Sequence, residues 1–421
     1  MPTTPDDDEL ELIRRSGAVL RVGRLSLSAG TGSYRVKASM ARVARALGID
    51  RHEAHVTLTE ITTTSHRGPS FRTEVAEVRT IGVNVDRLTS LEHLAGRVEA
   101  AGHPTVEEVT AELDRIASKP PLYPMALNAL WAAIACAAFS FLNNGGVVEV
   151  TAVFVGAFLG QALRRTMVHR GFNQFGVTML SATVACLGYV GFVGLLQVAG
   201  ATGTGHDAGY VSAVLFLIPG FPLVTGFLDL AKMDFSAGVA RLTYALMILT
   251  SAALAVWALS LMVGLTPDPP APDDLDPALL LTLRFVASFL GVLGFALMFN
   301  SPWRIALAAA GVGMVANVLR IAMVEGGLPP QASAAVAALA VGLLTAVIAP
   351  RLDVPRITVY VPAVTIMVPG VLAYRAVFHI SNGETVDALA FGVQAALVVA
   401  ALAIGLAIAR MLTDRTWAFE R

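Results

Sequence analysis

From residue 125 to residue 409 the chain is a succession of apolar segments, most of them near the roughly 20 residues a helix needs to cross a bilayer. Ten are expected, at about 125–142, 149–163, 174–198, 210–228, 238–264, 279–299, 303–323, 332–349, 357–377 and 385–409, the second being the shortest. Few folds are open to such a chain. In hydrocarbon every backbone N–H and C=O must be paired internally, and a helix does this within its own segment. Composition points the same way: 55% of residues are hydrophobic and 14% charged, against about 25% charged in a soluble domain. A net charge of -1 gives no long-range field for nucleic acid, which is not expected as a partner. Cys136 and Cys186 both lie inside apolar runs and read as helix-packing residues.

Charge is concentrated ahead of these segments. Residues 1–119 hold 16 of the 30 Lys/Arg and 17 of the 31 Asp/Glu. The boundary falls at "ASKPPLYP", where Pro120, Pro121 and Pro124 stop any arriving helix. Three parts are expected: a small α+β domain at 1–119, a five-helix membrane repeat at 120–264, and a second at 265–421 with a short tail. In the first part "DDELELIRRSGAVLRVGRLSLSAG" and "SYRVKASMARVARALGI" have helical apolar spacing. "HVTLTEITTT" and "FRTEVAEVRT" alternate like two paired strands, with "SHRGPS" as their turn. Two helices follow, the second opening on a Thr105…Glu108 capping box. "HEAH" at 52–55 is not a zinc motif, because its histidines are three apart and run into a strand. "GTGSYR" lacks the Gly-Lys-Ser/Thr ending of a phosphate loop. No cofactor or metal is expected. The acidic start "MPTTPDDDELEL" has no apolar core and does not read as a secretory signal, so this domain is expected in the cytoplasm.

Loop charge orients the segments. With the N-terminus inside, the inner connections carry Arg164, Arg165, Arg170, Lys232, Arg351 and Arg356, and the tail carries Arg410, Arg415 and Arg421. The outer loops "ATGTGHDAG" and "TPDPPAPDDLDP" contain no Lys or Arg. The positive-inside rule therefore predicts both termini in the cytoplasm.

The fourth segment contains the most unusual local sequence, "LIPGFPLVTGFLDLAKMD" at 217–234, and it has an echo in "MVPGVLAYRAVFHISNGE" at 367–384. At an offset of 150, Pro219-Gly220 falls on Pro369-Gly370, Asp229 on His379 and Asp234 on Glu384. Upstream, Asn143 matches Asn300 and Gly156 matches Gly313 at an offset of 157. Five segments per copy is an odd number, so the second copy crosses the membrane in the opposite sense. This is an inverted repeat, and paired Gly/Pro interruptions in its halves point to a transport site. Proline lacks an N–H and clashes with the carbonyl four residues back. Pro219 is therefore expected to free the carbonyl of Leu215, Pro222 that of Ile218, Pro369 that of Thr365, and Pro362 that of Thr358. Freed carbonyls and new helix N-termini suit a zwitterion. Pro219, Gly220, Pro222, Pro369, Gly370 and Arg375 are the candidate substrate-binding residues.

Ionisable groups within apolar segments mark pathways and proton relays. Asp229, between Leu228 and Leu230, is the first proton-coupling candidate, with Asp234 and Glu384 beside it. Asp387, Arg320 and His379 lie near segment ends, where long side chains reach the headgroups and a histidine is solvated. An embedded enzyme needs a convergent acid–base or metal set, and these segments hold no His pair and few acids. A membrane sensor would leave the duplicated breaks superfluous, so both are lesser alternatives. The chain reads as a transporter and not an enzyme.

"GSYRVKASMARVARALG", "RTIGVNVDRLTSLEHLAGRV", "LIPGFPLVTGFLDL" followed by "DFSAGVARL", and "VPGVLAYRA" together resemble the threonine/serine exporter family over nearly the whole chain. The resemblance implies an inner-membrane exporter of small hydroxy amino acids driven by the proton gradient. Similar halves occur as separate chains in two-component systems, some of them associated with dicarboxylate export. A succinate exporter is therefore the alternative, and it would need more positive charge, from Arg375 or Arg320, near the breaks. Small-residue stripes such as "AAVAALAVG" at 334–342 suit internal packing or a homo-oligomer.

Overall fold

In a computed structural model, described over residues 5–79, 81–203, 206, 209–267 and 275–418, the chain divides into two compact units. One comprises Met1–Leu122 with Thr225–Leu242 and Asp353–Thr358, the other Tyr123–Val224, Thr243–Leu352 and Val359–Arg421. Most of the acidic loop at 266–277, namely 268–274, and Arg421 of the tail lie outside the described residues.

In the first unit, helices α1 (Pro5–Ser28) and α2 (Ser33–Ala46) precede an antiparallel sheet of order β1-β2-β3. The strands are β1 (Arg51–Val56), β2 (Glu60–Arg67) and β3 (Ser70–Glu77), followed by helices α3 (Val85–Ala101) and α4 (Val106–Ser118). Three strands stand where two are expected. The Thr57 hydroxyl accepts the Glu60 amide at 3.1 Å and turns the chain, splitting "HVTLTEITTT" between β1 and β2. Gly68, at φ +56, makes the tight turn into β3. His52 and His55 sit on opposite faces of β1, His52 half-buried against the Ser65 hydroxyl at 2.9 Å and His55 exposed. The core joins both layers through Val22, Val36, Met40, Ile61, Leu94 and Leu113. The capping box at α4 is present as expected. Glu11 on α1 accepts from Arg67 on β2 and from Arg15, and the Arg67 bond above all holds its carboxyl below the usual range. Burial pushes the His52 imidazole down.

Among the described residues, eight segments are uninterrupted helices long and apolar enough to cross a membrane. They are α5 (Met125–Leu142), α6 (Val147–His169), α7 (Gln174–Val198), α10 (Phe235–Val263), α11 (Pro277–Met298), α12 (Trp303–Glu325), α13 (Pro330–Arg351) and α16 (Thr385–Thr413). The chain is a multi-pass membrane protein, mainly helical, with a small α+β domain. The second segment is longer than its apolar run suggests, because the helix continues through Arg164 and Arg165 to His169. The other two segments are broken. The fourth is α8 (Tyr210–Ala213), a 3-10 turn at Leu215–Leu217, and α9 (Gly220–Ala231). The ninth is α14 (Ile357–Thr365) and α15 (Gly370–Ser381), bent by 49°. A last short helix, α17, covers Arg415–Ala418.

The repeat is visible in the element boundaries. α9 and α15 have 12 residues each, α10 and α16 have 29 each, and both pairs keep the offset of 150. α6 and α12 have 23 residues each, at an offset of 156. The left-handed residues ahead of them are Asn144 (φ 66) and Asn300 (φ 62). The expected pairings of Asn143 with Asn300 and of Gly156 with Gly313 are therefore one residue out of register. The left-handed helix terminus, which asparagine tolerates, sets the match. Corrected, Gln161 falls on Asn317. Both are buried and both bond back to the preceding helix, Gln161 to Asn128 at 2.7 Å and Asn317 to Ser288 at 2.9 Å.

Candidate transport site

The two breaks have the same backbone. The Gly220 amide donates to the Ile218 carbonyl at 2.8 Å across Pro219, and the Gly370 amide to the Val368 carbonyl at 2.9 Å across Pro369. Each is a tight turn centred on proline, with Pro369 at φ -80, ψ 61, the inverse γ conformation. These turns change the expected carbonyl chemistry. Leu215 accepts from the Ile218 amide at 3.1 Å, Ile218 from Gly220, and Thr365 from the Val368 amide at 3.2 Å. The carbonyls released by Pro219, Pro222 and Pro369 are thus taken locally, those of Leu215 and Thr365 by amides three residues on and that of Ile218 by the amide two residues on. Pro222 breaks nothing. It is the third residue of α9, where an N–H has no intrahelical partner to lose.

The breaks also meet. A Cβ on Gly220 would lie 3.1 Å from Thr365 Cγ2, and one on Gly370 would lie 1.9 Å from Ile218 Cδ1. Gly370 therefore admits Ile218, which precedes Pro219, and Gly220 admits Thr365, four residues ahead of Pro369. Next to them, the Tyr210 and Tyr374 hydroxyls are 3.1 Å apart and both rings are buried. Arg375, one turn beyond Gly370, donates through Nε and Nη2 to the Pro267 carbonyl at 3.2 and 3.0 Å. Its guanidinium lies 5.6 Å from the centre of the Phe391 ring. It lines a cavity of about 250 Å³ shared with Ser140, Asn143, Glu149, Ser212 and Leu372.

Asp229 closes α9 and is fully buried, 3.0 Å from Nε of an equally buried Arg241 on α10. Its carboxylate faces the backbone amides of Ser33 and Tyr34, at the start of α2, and a Cβ on Gly32 would lie 2.8 Å from Oδ1. Arg241 Nη2 donates to the Thr31 carbonyl at 2.7 Å. Asp229 thus stands where a capping side chain stands, since Gly32 has none to offer. Asp234 pairs with Lys37 on α2. Glu384 is exposed and pairs with His379, which is thereby engaged rather than simply solvated. Arg320 bonds Asn317 Oδ1 at 3.1 Å.

The proline–glycine pairs come together with one another, while Asp229 and Asp234 belong to the unit that contains the α+β domain. Two important charges were not among the expected ones. Arg241 lies inside "DFSAGVARL" and is signalled there by a lone cation entering an apolar run. Glu149 opens the second segment and reads as a helix start. Its role appears only with His206 Nδ1 at 2.5 Å.

Duplicated broken helices whose interruptions interlock define a polytopic membrane protein of the transporter class. Family matches make this specific. The model described as "Putative threonine/serine exporter" covers residues 18–263, more than half of the chain, and "Threonine/Serine exporter, ThrE" covers 284–412. The chain belongs to the threonine/serine exporter family. It is 23% identical to "Threonine/serine exporter" of Corynebacterium glutamicum over 98% of this chain and 86% of that one. Against "Probable threonine/serine exporter" of Mycobacterium tuberculosis (strain ATCC 25618 / H37Rv) it is 25% identical, over 97% and 78%. "Probable succinate transporter subunit YjjP" of Escherichia coli (strain K12) is 28% identical over 57% of this chain and 93% of its own length. No solved structure matches the chain.

Proposed function

We propose that the protein is a secondary transporter that exports threonine and serine across the cytoplasmic membrane, driven by the proton gradient, with both termini in the cytoplasm. The observation that carries the reading is the reciprocal seating of the two breaks, Gly220 against Thr365 and Gly370 against Ile218. Two half-helices in each copy, pivoting at one shared contact, give an inverted repeat a place to alternate access. The relatives aligned over both halves carry the threonine/serine name, whereas the succinate-named relative aligns with 57% of the chain, which favours the hydroxy amino acids. Pro219, Gly220, Pro369 and Gly370 form the pivot in this reading, and Pro222 supports the start of α9. Asp229 with Arg241 is the pair on which a coupling proton acts, and Asp234 and Glu384 are secondary. The small-residue stripe at 334–342 is used for internal packing, since Ala334, Ala337, Ala338 and Val341 are buried and Gly342 lies against Ala409 of α16.

The test is efflux from vesicles containing purified protein and preloaded with labelled threonine, serine or succinate, with and without an imposed proton gradient. Gradient-dependent efflux of threonine or serine supports the reading. Efflux of succinate alone moves the protein to the dicarboxylate branch, and efflux of none removes the function. Replacing either Pro-Gly pair by Ala-Ala is expected to abolish efflux, and full activity after both replacements reduces them to ordinary kinks.

A further inference from the structure

The cavity that Arg375 lines lies within the second unit and is built from five parts of the chain. Ser140 and Asn143 come from the end of α5 and Glu149 from the start of α6. Ser212 comes from α8, Pro267 from the loop after α10, and Leu372 and Arg375 from α15. At about 250 Å³ it lies below the roughly 300–1,000 Å³ of pockets for drug-sized ligands, and so suits a smaller molecule. Among the described residues its walls carry one acid, Glu149, and one arginine, Arg375. Glu149 is buried and is the third residue of α6, where the helix dipole favours a negative charge. His206 holds its Oε1 and is itself held through Nε2 by the Thr202 hydroxyl at 2.6 Å. The Pro267 carbonyl and the Phe391 ring fix Arg375 from two sides, so its planar guanidinium is oriented before a ligand arrives.

We propose that this cavity binds the zwitterion of a small amino acid, with the ammonium toward Glu149 and the carboxylate toward Arg375. The inference rests on the transport reading above and assigns the substrate's charges to particular residues. An arginine near the breaks, taken alone, suits a dicarboxylate. Glu149 in the same wall reverses that preference, since a second carboxylate would face a buried negative charge. Ser140, Ser212 and Asn143 offer hydrogen bonds to a side-chain hydroxyl, and a site built to bond a hydroxyl rejects ligands lacking it. Ser212 precedes the first break and Leu372 follows the second, so movement at the shared pivot changes the shape of the site. The loops at this end, 201–209 and 266–277, contain no Lys or Arg, which places the site on the outer half of the transporter.

The experiment is counterflow of labelled threonine into vesicles containing the full-length protein, with two competitors. One is 3-hydroxybutyrate, which is threonine without its ammonium; the other is threoninol, which lacks the carboxylate. Glu149→Gln is expected to raise the half-saturating threonine concentration tenfold or more and to erase the preference for threonine over 3-hydroxybutyrate. Arg375→Gln is expected to do the same with respect to threoninol. If both variants stay within twofold of the wild type, the site assignment falls while the transport reading stands. If the wild type shows no threonine or serine counterflow, the transport reading falls and takes this inference with it. A further variant, Leu372→Cys, covers the case in which the charge variants do not insert. Threonine should protect its thiol from an impermeant maleimide and 3-hydroxybutyrate should not; equal labelling with and without threonine overturns the proposal.

Discussion

The chain leaves α9 at residues 229–234 through a turn in which the Asp234 amide donates to the Asp229 carbonyl at 2.9 Å and Met233 is left-handed, at φ 61. It leaves α15 at 379–384 through the same turn, with the Glu384 amide on the His379 carbonyl at 2.8 Å and Gly383 at φ 84. The residues twelve positions beyond Asp229 and His379 also correspond, Arg241 in one turn and Phe391 in the other. In the first turn a buried carboxylate meets a buried guanidinium. In the second an imidazole stacks on a phenyl ring, with centres 5.1 Å apart and planes at 21°. One backbone therefore carries an ion pair in one copy and an aromatic pair in the other. Backbone geometry is set by helix termination and repeats with the chain, while side-chain chemistry follows local surroundings. At the first turn those surroundings include the start of α2, and at the second they include Arg375 and Glu384.

The largest difference between the turns should appear when each loses its leading residue. Asp229→Asn leaves Arg241 buried without its counter-charge and should cost about 3–5 kcal/mol, whereas His379→Ala should cost about 1 kcal/mol. Thermal unfolding of the detergent-solubilised protein measures both, and equal losses would erase the distinction. The pair Asp229→Asn with Arg241→Gln should recover much of that stability, because no charge is then left alone. If this double variant folds yet exchanges substrate without responding to a proton gradient, Asp229 couples protons; gradient-driven flux at the wild-type rate rules the role out.

Smaller changes test the breaks. Gly370→Ala drives a methyl into Ile218 and should destabilise by about 1–3 kcal/mol, with Ile218→Ala restoring the fit. Gly220→Ala meets Thr365 at 3.1 Å and should cost less, so the reverse order would mean that the two contacts are not as described. Gly32→Ala presses on Asp229 Oδ1 and should cost roughly 1 kcal/mol, an effect that disappears in an Asp229→Ala background, where no side-chain oxygen is left to press on. The slightest effect is pH-dependent and lies in the α+β domain. Glu11 has its folded pKa below the ordinary 4.5 and His52 below the ordinary 6.5. Both contributions are present above those values and are lost as pH falls, His52 first and Glu11 after it. Amide exchange of β1 and β2 in the full-length protein, corrected for intrinsic rates, should show protection declining from about pH 7 to pH 4. Rising protection over that interval contradicts the assignment.

Much of this architecture can be read along the chain. Residues 125–142, 174–198 and 385–409 announce their helices because solvation by hydrocarbon demands long apolar runs, and Pro219-Gly220 and Pro369-Gly370 announce their breaks because proline removes a donor locally. The limits of such reading are equally physical. Hydropathy stops at Arg164, yet the helix continues to His169, since α-helical geometry tolerates charge that a bilayer does not. Residue matching missed the register of the first repeat halves by one position, because the shared left-handed asparagine is a conformation before it is a letter.

The uninterrupted apolar runs, the duplication and the sites of interruption are consequences of short-range chemistry, and the sequence by itself determines them. Which charges meet is another matter. Asp229 with Arg241 and the Ser33 amide, Gly370 with Ile218, and Glu149 in one cavity with Arg375 join residues from 12 to 226 positions apart. No periodicity or local propensity encodes such pairs. They exist only once the helices have packed, because packing decides which buried charges find a partner within a few ångströms and which two glycines lie close enough for their neighbours to interlock.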